Sequence, residues 1–351
     1  MKILYDHQIF SSQKFGGISR YFYELIKRIG FENSDISSYY SINHYTNSDI
    51  NFKSKLFFEN IKFKGKIRLL NIINEVITKN AIKKKEFDIY HPTYYNPFFL
   101  ESLRGKPYVI TVYDMIHEKF ENEFSAADNS IINKKKVINN ADKIIAISNN
   151  TKNDLISILG IEEKKIEVVY LGNSMETKNY SKLNSRYPEN YFLFVGSRFN
   201  KYKNFKIFIK VMSKILKENS KFTLVCAGGG KFTDTEILMF NSLNIENRVY
   251  NYNIEDDLLG QLYSNAIAFI FPSYYEGFGI PILESFACKC PLICSDTSCF
   301  PEIAQDAALY FDPHSEEAIY NTIKSILDND TLREILIQRG TKRLKYFHES
   351  N

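Results

Sequence analysis

The chain has 351 residues and a formal net charge of +4, with 44% hydrophobic, 25% charged and 15% aromatic residues. This length predicts two domains of roughly 150 residues each in a globular protein. The small net charge, without a zinc-finger or aromatic RNA-binding signature, argues against nucleic acid as a partner. No apolar run approaches the roughly 20 residues of a membrane span, and Asp6 interrupts the start where a signal peptide would be apolar, so a cytoplasmic location is expected.

The first half of the chain alternates short apolar strands with helices, which is typical of parallel α/β sheets. Apolar residues recur at helical spacing after Gly17 and stop at Gly30, which predicts an amphipathic helix with Gly16 and Gly17 at its N-terminus. Strands are predicted within residues 1–6, 87–91, 107–114, 143–148 and 165–172, and a helix over 149–160.

A polar stretch without apolar periodicity is interpreted as a linker at residues 176–190. It separates an N-terminal domain, 1–175, from a C-terminal domain, 191–330, which is followed by a short helical tail, 331–351. The C-terminal domain repeats the same pattern, with strands predicted within 191–196, 222–230 and 268–273 and helices over 205–218 and 255–266. The predicted fold class is α/β: two Rossmann-like domains whose parallel sheets face across a cleft, with ligands beyond the carboxyl ends of the strands.

Positive charge is concentrated between residues 51 and 86, which contain ten Lys or Arg and three Glu. This segment also carries the aliphatic stretch LLNIINEVI. A cationic face of this kind could meet an acidic surface such as an anionic membrane. The alternative is a basic helix whose charges are simply solvated.

The cysteines Cys226, Cys288, Cys290, Cys294 and Cys299 raise the question of a zinc site. The last four lack the paired C-x2-C spacing of structural zinc sites, and the segment PLICS between them is typical of a buried strand. Reduced thiols in the core are therefore predicted, and no metal site.

Arg198 and Lys203 lie in a loop between a predicted strand, which ends at Gly196, and a predicted helix. An arginine can hold phosphate oxygens through two hydrogen bonds, a lysine adds a point charge, and the helix N-terminus attracts anions. These residues predict a phosphate site. The alternative is a pair of surface cations.

The stretch EGFGIPILE suggests a second anion site, because Pro281 fits the first position of a helix whose free amides follow Glu276. Glu284 would lie about one turn into that helix. Since carboxylates accept hydrogen bonds from vicinal hydroxyls, each glutamate could bind one sugar attached to the phosphate. In the alternative interpretation Glu276 caps the helix and Glu284 is solvated.

These residues resemble the retaining family-4 glycosyltransferases of the GT-B fold, of the bacterial surface-polysaccharide type. EGFGIPILE is similar to their E-x7-E signature, FGGISRY to their glycine loop, TVYDMIHE to their acceptor-side motif and FVGSRFNKYKN to their diphosphate loop. ADKIIAISNNTKNDL and FPEIAQDAALYFDP are similar to two further family segments, so the resemblance spans nearly the whole chain.

The resemblance implies that Arg198 and Lys203 neutralise the diphosphate of a UDP- or GDP-sugar without a metal ion. It implies that Glu284 holds the nucleotide ribose and that Glu276 contacts the transferred sugar. Further donor-binding positions are implied at Gly16, Gly17, Gly196, Gly277, Phe278, Gly279 and Ile280.

One position departs from the family: Tyr113 stands where many relatives have a histidine that contacts the donor sugar. Asp114 and His117 are the nearest polar candidates for this catalytic role. His91 also follows a strand and could face the cleft, or it could be a hydrogen-bonded buried histidine. The D-x-D sequence at 328–330 is interpreted as a turn with a helix cap, and the family's C-terminal helix returning to the first domain is expected to be short or absent here.

The predicted function is transfer of a hexosyl unit, mannosyl or glucosyl, to a lipid-linked glycan acceptor in O-antigen or capsule synthesis. The sequence presents no carboxylate that can be placed as a nucleophile, so same-face attack through an oxocarbenium-like transition state is expected. A nucleotide-sugar epimerase and a non-catalytic glycan- or transferase-binding partner with the same fold are the alternatives. The acceptor predicts peripheral contact with the inner face of an anionic membrane.

Overall fold

The structure is a computed structural model that describes residues 1–52, 54–57, 63–84, 86–124, 129–173, 175–178, 180–252 and 256–347. Lys53, Lys62 and Lys85 of the basic segment lie outside the described residues, as do the last four residues of the predicted tail. Within these ranges, no helix has both the length and the apolar character needed to cross a bilayer.

The chain forms two compact units whose boundaries differ from the predicted domains. The N-terminal unit comprises residues 1–113, 124–146 and 152–169, and the C-terminal unit comprises 114–123, 147–151 and 170–351. The predicted linker and the predicted tail both belong to the C-terminal unit. The predicted linker therefore stays a prediction: polar composition indicates exposure to solvent, which the surface of a compact unit also has.

The N-terminal unit is built around parallel strands of three or four residues, flanked by a small two-stranded sheet. The strands are β1 Ile3–Tyr5, β2 Ser34–Ile36, β3 Tyr40–Ser41, β4 Lys55–Leu56, β5 Ile89–His91, β6 Val109–Val112, β7 Lys143–Ala146 and β8 Ile166–Val168. The orders are β2-β1-β5 and β6-β7-β8, and a parallel bridge between Tyr90 and Tyr108 joins the two sheets. β3 and β4 form the small sheet.

The helices in the first half of the chain are α1 Gln8–Ser12, α2 Gly17–Ile29, α3 His44–Ser48, α4 Lys66–Lys84, α5 Leu100–Leu103, α6 Ile116–Lys119, α7 Ser130–Asn139 and α8 Asn149–Leu159. The structure confirms the predicted helix at α2, which follows Gly16 and has Gly30 as its C-cap. Gly30 has φ +89°, in the left-handed region that glycine adopts without strain.

The C-terminal unit contains one six-stranded parallel sheet in the order β11-β10-β9-β12-β13-β14. Its strands are β9 Tyr191–Val195, β10 Thr223–Ala227, β11 Val249–Tyr252, β12 Ala268–Phe271, β13 Leu292–Ser295 and β14 Ala308–Phe311. This is the strand order of a Rossmann fold. β9 and β12 are buried along their whole length, which explains their unbroken apolar sequences.

Seven further helices complete this unit: α9 Phe205–Glu218, α10 Asp234–Ser242, α11 Asp256–Asn265, α12 Ile280–Ala287, α13 Phe300–Ala304, α14 Glu316–Leu327 and α15 Asp330–Leu344. α9 has the predicted limits and packs its apolar face on the sheet, with Phe208 and Met212 fully buried. α15 contacts α12, and Gly340 makes this possible, since a Cβ there would lie 2.6 Å from the Phe286 ring.

Candidate functional site

The strand order of the C-terminal unit reverses between β9 and β12, which are neighbours in the sheet. The loops after these two strands therefore leave the carboxyl edge of the sheet side by side. Ligands of doubly wound sheets bind at this switch point. Most of the residues predicted to bind phosphate and sugar lie in these loops or on α12, whereas Gly16 and Gly17 lie at the N-terminus of α2 in the other unit.

Lys203 and Glu276, one from each loop, form an ion pair. The Lys203 Nζ lies 2.6 Å from the Glu276 Oε1, and the two side chains are only 16% and 12% exposed. The same carboxylate oxygen accepts a hydrogen bond of 2.8 Å from the Ser273 hydroxyl. The alternative of a surface cation is therefore wrong for Lys203.

Burial lowers the pKa of Lys203, but the charge and hydrogen bond of Glu276 outweigh it, with smaller contributions from Tyr202 and Asp114, and the pKa ends above its usual value. The amine is therefore a cation at neutral pH. Lys203 and Glu276, two of the predicted catalytic residues, are thus brought together at the switch point.

The backbone of Glu276 is fixed by Ser298, whose hydroxyl accepts from the Glu276 amide at 3.1 Å and donates to its carbonyl at 2.6 Å. Glu276 does not cap the following helix, because the N-cap of α12 is Gly279. The capping alternative is therefore wrong. Glu276 is held in place while its carboxylate faces Lys203.

α12 begins one residue earlier than predicted, so Ile280 is its first residue and Pro281 its second. Gly279 has φ +83°, which admits a sharp entry into the helix. Phe278 is buried, and the Gly277 carbonyl accepts a hydrogen bond of 2.7 Å from the Ser148 hydroxyl. Pro281 has no amide hydrogen, and the Ile282 amide already donates to the Gly279 carbonyl at 2.8 Å. Binding of an anion at this helix end therefore stays a prediction.

Glu284 is half-buried on α12 and accepts a hydrogen bond of 3.0 Å from the Tyr263 hydroxyl. Tyr263 is fully buried, and burial followed by the charge of Glu284 raises the pKa of its phenol well above the usual range. The alternative of a merely solvated glutamate is therefore wrong. Tyr263 positions one oxygen of this carboxylate.

Arg198 is buried in a separate network, which corrects its predicted position at an open phosphate site. Its Nε lies 2.6 Å from Glu236 Oε1, and its Nη atoms donate to the carbonyls of Gly228 at 2.7 Å and Gly230 at 2.9 Å. Its side chain is 0% exposed, so the surface-cation alternative is wrong as well. In this arrangement the guanidinium joins the loop after β9 to a glycine turn after β10, and its contact with a diphosphate stays a prediction.

Gly196 begins the loop after β9 with φ +119° and donates its amide to the Ala227 carbonyl at 2.9 Å. The glycine turn packs tightly against this loop, since a Cβ on Gly229 would lie 2.7 Å from the Gly196 carbonyl oxygen. Gly196 therefore holds the backbone close to the neighbouring strand. Its own approach to a ligand stays a prediction.

The acceptor-side motif packs against the loops of the C-terminal unit. The Met115 amide donates to the Tyr275 hydroxyl at 3.2 Å, the Lys119 ammonium lies 4.8 Å from the centre of the Tyr275 ring, and the Lys201 amide donates to Glu123 at 3.0 Å. This explains why residues 114–123 belong to that unit. Sequence periodicity could not have shown this contact, because the partners are about 160 residues apart in the chain.

Asp114 accepts a hydrogen bond of 3.0 Å from the Ile116 amide, and His117 is half-buried in α6. Both stay candidate catalytic residues. His91 is different: its Nε2 pairs with the Thr111 hydroxyl at 2.9 Å, and burial lowers its pKa to about 3. It is a neutral, hydrogen-bonded core residue, which confirms the buried alternative for His91 and not the cleft-facing one.

Tyr113 is buried among aromatic rings of the N-terminal unit. Its hydroxyl has no hydrogen-bond partner among the described residues, and burial raises its pKa well above the usual range.

Gly16 precedes α2 in the same unit, where a Cβ would lie 2.2 Å from the Gln13 Oε1. That oxygen accepts from the Ser19 amide at 3.3 Å, so Gly16 leaves room for a side chain that caps α2 beside Gly17.

The structure shows where the cysteines and the D-x-D sequence lie. All five cysteines are buried free thiols, which confirms the core interpretation. Asn329 of the D-x-D sequence caps α15 by accepting from the Leu332 amide, as predicted. Across the described ranges, no three His, Cys, Asp or Glu side chains come together as a metal site.

Four residues of the site were missed from the sequence: Glu236, Tyr263, Ser298 and Tyr275. A local signal existed for Glu236 alone, because Thr233 and Glu236 form a capping box at the start of α10. Its pairing with Arg198, 38 residues away, has no counterpart in local sequence. The other three act through tertiary contacts.

Two glycosyltransferase family models match the chain. Residues 175–343 match the model described as Glycosyl transferases group 1, and residues 15–176 match the model described as Glycosyltransferase Family 4. HepE of Anabaena, solved in complex with UDP-glucose, superposes with a TM-score of 0.74 at 16% identity over 99% of this chain and 96% of that one. At that identity the likeness shows the fold, which is GT-B.

Two curated relatives are similar in sequence. The O-antigen chain mannosyltransferase RfbU of Salmonella typhimurium is 30% identical over 55% of this chain and 53% of its own length. An N-acetylgalactosaminyltransferase of Campylobacter jejuni, named for a diphospho-undecaprenol substrate, is 27% identical over 62% of this chain and 60% of its own. The match thus spans little more than half of each relative. Because the two family models together account for residues 15–343, the chain belongs to the group 1 glycosyltransferases, with a family 4 N-terminal domain.

Proposed function

We propose that this chain is a retaining, metal-independent hexosyltransferase. It moves a mannosyl or glucosyl unit from a UDP- or GDP-sugar to a lipid-linked glycan in O-antigen or capsule synthesis. The observation that carries the proposal is the buried pair of Lys203 and Glu276 at the switch point between β9 and β12. A cation and a carboxylate at that edge match the two parts of a sugar diphosphate.

The ion pair suggests how the donor binds. Without a ligand, Lys203 and Glu276 neutralise each other, which avoids an uncompensated buried charge. A donor diphosphate would take the ammonium as its partner, and the hydroxyls of the sugar would take the carboxylate. Binding thus exchanges one set of charge-assisted hydrogen bonds for another.

The exchange also favours bond cleavage. The departing diphosphate gains charge as the glycosidic bond breaks, so an ammonium beside it binds the transition state more tightly than the ground state. With the diphosphate anchored, Glu284 would accept hydrogen bonds from the ribose while Tyr263 holds its carboxylate. Asp114 and His117 are the candidate groups near the sugar, and attack occurs on the face that the leaving group vacates.

The relatives support the choice of substrates. RfbU is named as an O-antigen mannosyltransferase, and the Campylobacter relative is named for a diphospho-undecaprenol substrate. HepE was solved with UDP-glucose. An acceptor held in the inner leaflet of the plasma membrane would bring the protein to that surface as a peripheral protein.

The test begins with the thermal stability of the purified chain in a panel of UDP- and GDP-sugars with EDTA present, since a bound donor raises stability by mass action. The stabilising donor is then supplied with a synthetic polyprenyl diphosphate glycan, and the anomeric configuration of the product is read by NMR. We expect product with the donor's configuration and no effect of EDTA. An inverted product would contradict retention, turnover restored by Mg²⁺ would contradict metal independence, and stabilisation without transfer would favour the non-catalytic alternative.

A further inference from the structure

Helix α4 of the N-terminal unit packs on the protein through an unusual face. The residues buried on it recur every fourth position, and two of the four are polar: Leu70, Asn74, Thr78 and Ile82. An amphipathic surface helix normally buries its apolar face and exposes its polar one. In α4, by contrast, several aliphatic side chains are exposed to solvent.

Hydrogen bonds of the two buried polar side chains determine which way α4 faces. Asn74 donates to the Tyr40 carbonyl at 2.7 Å and to the Ser11 hydroxyl at 3.1 Å. Thr78 donates to the Ser37 carbonyl at 3.1 Å. Both residues are 0% exposed, so turning the helix to bury its aliphatic side would break these bonds inside the protein.

The opposite side of α4 carries a ridge of Leu69, Ile72 and Val76, which we call the apolar ridge. These residues are three and four positions apart, so they share one face of the helix. They are 40%, 53% and 55% exposed. Contiguous exposed aliphatic residues of this kind mark an interaction surface more often than chance exposure does.

Cations accompany the apolar ridge. Lys64 precedes the helix, Arg68 is adjacent to the ridge in sequence, and Lys83 and Lys84 form the last turn; all four are exposed. Glu75 is the one acidic residue in the sequence of α4. An exposed aliphatic stripe bordered by Lys and Arg has the chemistry of a helix that lies in the interface of an anionic bilayer.

We propose that α4 is a membrane-docking surface: the apolar ridge inserts among acyl chains of an anionic bilayer while the cations contact headgroup phosphates. The inference deepens the proposed function, since it names the face that reaches the membrane carrying the acceptor. The charges favour lipid over a second copy of the chain, because a symmetric contact would place the same cations opposite one another.

The chain contains no tryptophan, so one can be introduced as a unique probe of insertion. In the full-length protein, Ile72→Trp is compared with Leu238→Trp, which lies on α10 of the other unit and is 68% exposed in the native chain. With vesicles of phosphatidylglycerol and phosphatidylethanolamine, the Ile72→Trp emission should shift to shorter wavelength and be quenched by brominated acyl chains. The Leu238→Trp emission should do neither.

Absence of both effects at Ile72→Trp, or the same effects at Leu238→Trp, would overturn the proposal. So would a shift that depends on protein concentration without vesicles, which would indicate self-association through α4. An equal response to phosphatidylcholine vesicles would overturn the requirement for anionic lipid.

Co-sedimentation separates the apolar contribution from the charges. At about 0.5 M salt, where exposed charges are screened, Leu69→Gln/Ile72→Gln/Val76→Gln should bind anionic vesicles at least about tenfold more weakly than wild type. The control Ile132→Gln/Val169→Gln/Leu238→Gln removes three exposed aliphatic residues elsewhere and should bind normally. Equal binding by both variants would overturn the insertion of the ridge.

A transfer assay with a water-soluble acceptor distinguishes this inference from the proposed function. The ridge variant should transfer sugar to the soluble acceptor at the wild-type rate and lose turnover on vesicle-held acceptor. If wild type transfers sugar but does not bind vesicles, the docking surface fails while the function stands. If it binds vesicles but transfers nothing, the function fails while the surface stands.

Discussion

The two units contain sheets whose strand order reverses at one point, and they use that point differently. In the N-terminal unit the reversal lies between β1 and β5, where Asp6 follows β1. Its carboxylate is fully buried and accepts from the Thr93 amide at 2.9 Å, the Thr93 hydroxyl at 2.6 Å and the Tyr90 hydroxyl at 2.7 Å. In the C-terminal unit the corresponding point holds Lys203 and Glu276.

The difference lies in the partners. The Asp6 carboxylate accepts hydrogen bonds from neutral donors of the protein itself, and the Gln8 side-chain amide adds a further one of 2.7 Å. Its hydrogen-bonding capacity is therefore used within the fold. Lys203 and Glu276 satisfy each other, and under the proposed function a diphosphate would replace Glu276 as the partner of Lys203 while sugar hydroxyls would bind Glu276. The same topology thus holds a carboxylate bonded to neutral donors in one unit and a buried ion pair in the other.

The largest effect should come from removing the ammonium group of Lys203. Lys203→Ala deletes the one ammonium paired with Glu276 and should lower kcat/KM for transfer by about 10²–10³, the scale of one lost charge-stabilising donor. The folded fraction, measured by circular dichroism, corrects for destabilisation. The control is Lys214→Ala, which removes an exposed lysine of α9 that pairs with Glu316 of α14. This variant should retain full activity. Activity of Lys203→Ala within threefold of wild type would refute its role as the clamp.

Acid should weaken the N-terminal unit first, because it contains two buried histidines. Burial lowers the pKa of His7 to about 4 and that of His91 to about 3. Both pKa values are below those of the unfolded chain, so the stabilisation is complete above about pH 6.5 and is lost as pH falls toward 4. At pH 5.5 the loss should be a little over 1 kcal/mol for each histidine.

Hydrogen exchange at pH 7 and 5.5 measures this loss unit by unit. Amides of β1, β5 and β6 should lose protection at pH 5.5 before those of β9 and β12. His91→Gln, which keeps a donor near Thr111 but does not titrate, should reduce the difference. Equal loss of protection in both units would show that these histidines do not set acid stability.

Removing the negative charge of Asp6 should lower the stability of the fold and leave transfer activity unchanged. Asp6→Asn places an amide N–H against hydrogen-bond donors and should lower the free energy of unfolding by about 2 kcal/mol. Urea titration measures this. Turnover per folded molecule should be unchanged, and a loss of turnover larger than the loss of folded protein would mean that Asp6 contacts substrate.

The smallest effect should distinguish the two glutamates. Glu284→Ala should weaken binding of free UDP or GDP by about tenfold, one lost charge-assisted contact. Glu276→Gln should not weaken it, because it leaves Lys203 without a competing carboxylate, yet turnover should fall. Calorimetric titration of both variants gives the comparison, and equal weakening by both would contradict one glutamate per sugar.

The sequence predicted the parts of the fold that depend on local pattern. α9 was predicted to the residue and α2 to within one residue at each end, because each shows helical periodicity and α2 also has a terminal signal at Gly30. The predicted strands were located but drawn too long, as β6 occupies Val109–Val112 within the predicted 107–114, and β2, β3, β4, β11 and β14 were not predicted. α4 shows why the rest failed, since its buried face is set by Asn74 and Thr78, whose partners are known only once the chain has folded.

The candidate site divides in the same way. Lys203, Glu276 and Glu284 could be named because spacing and the family resemblance identify them. The partner of Arg198 could not, because Glu236 lies on α10, and a cation in a loop sequence is compatible with either a phosphate ligand or a buried ion pair. Sequence predicts which residue types are present at a strand end, and tertiary contacts decide which groups each of them pairs with.

Gly340 lets the final helix pack against the helix that carries Glu284. A side chain at position 340 would overlap the Phe286 ring. The absence of a Cβ at Gly340 therefore allows α15 to lie directly against α12. The C-terminal unit, if excised for separate study, must therefore extend through Phe347 rather than stop at residue 330. In the evolution of such enzymes, this glycine should restrict exchange of the last helix to sequences that leave the same gap.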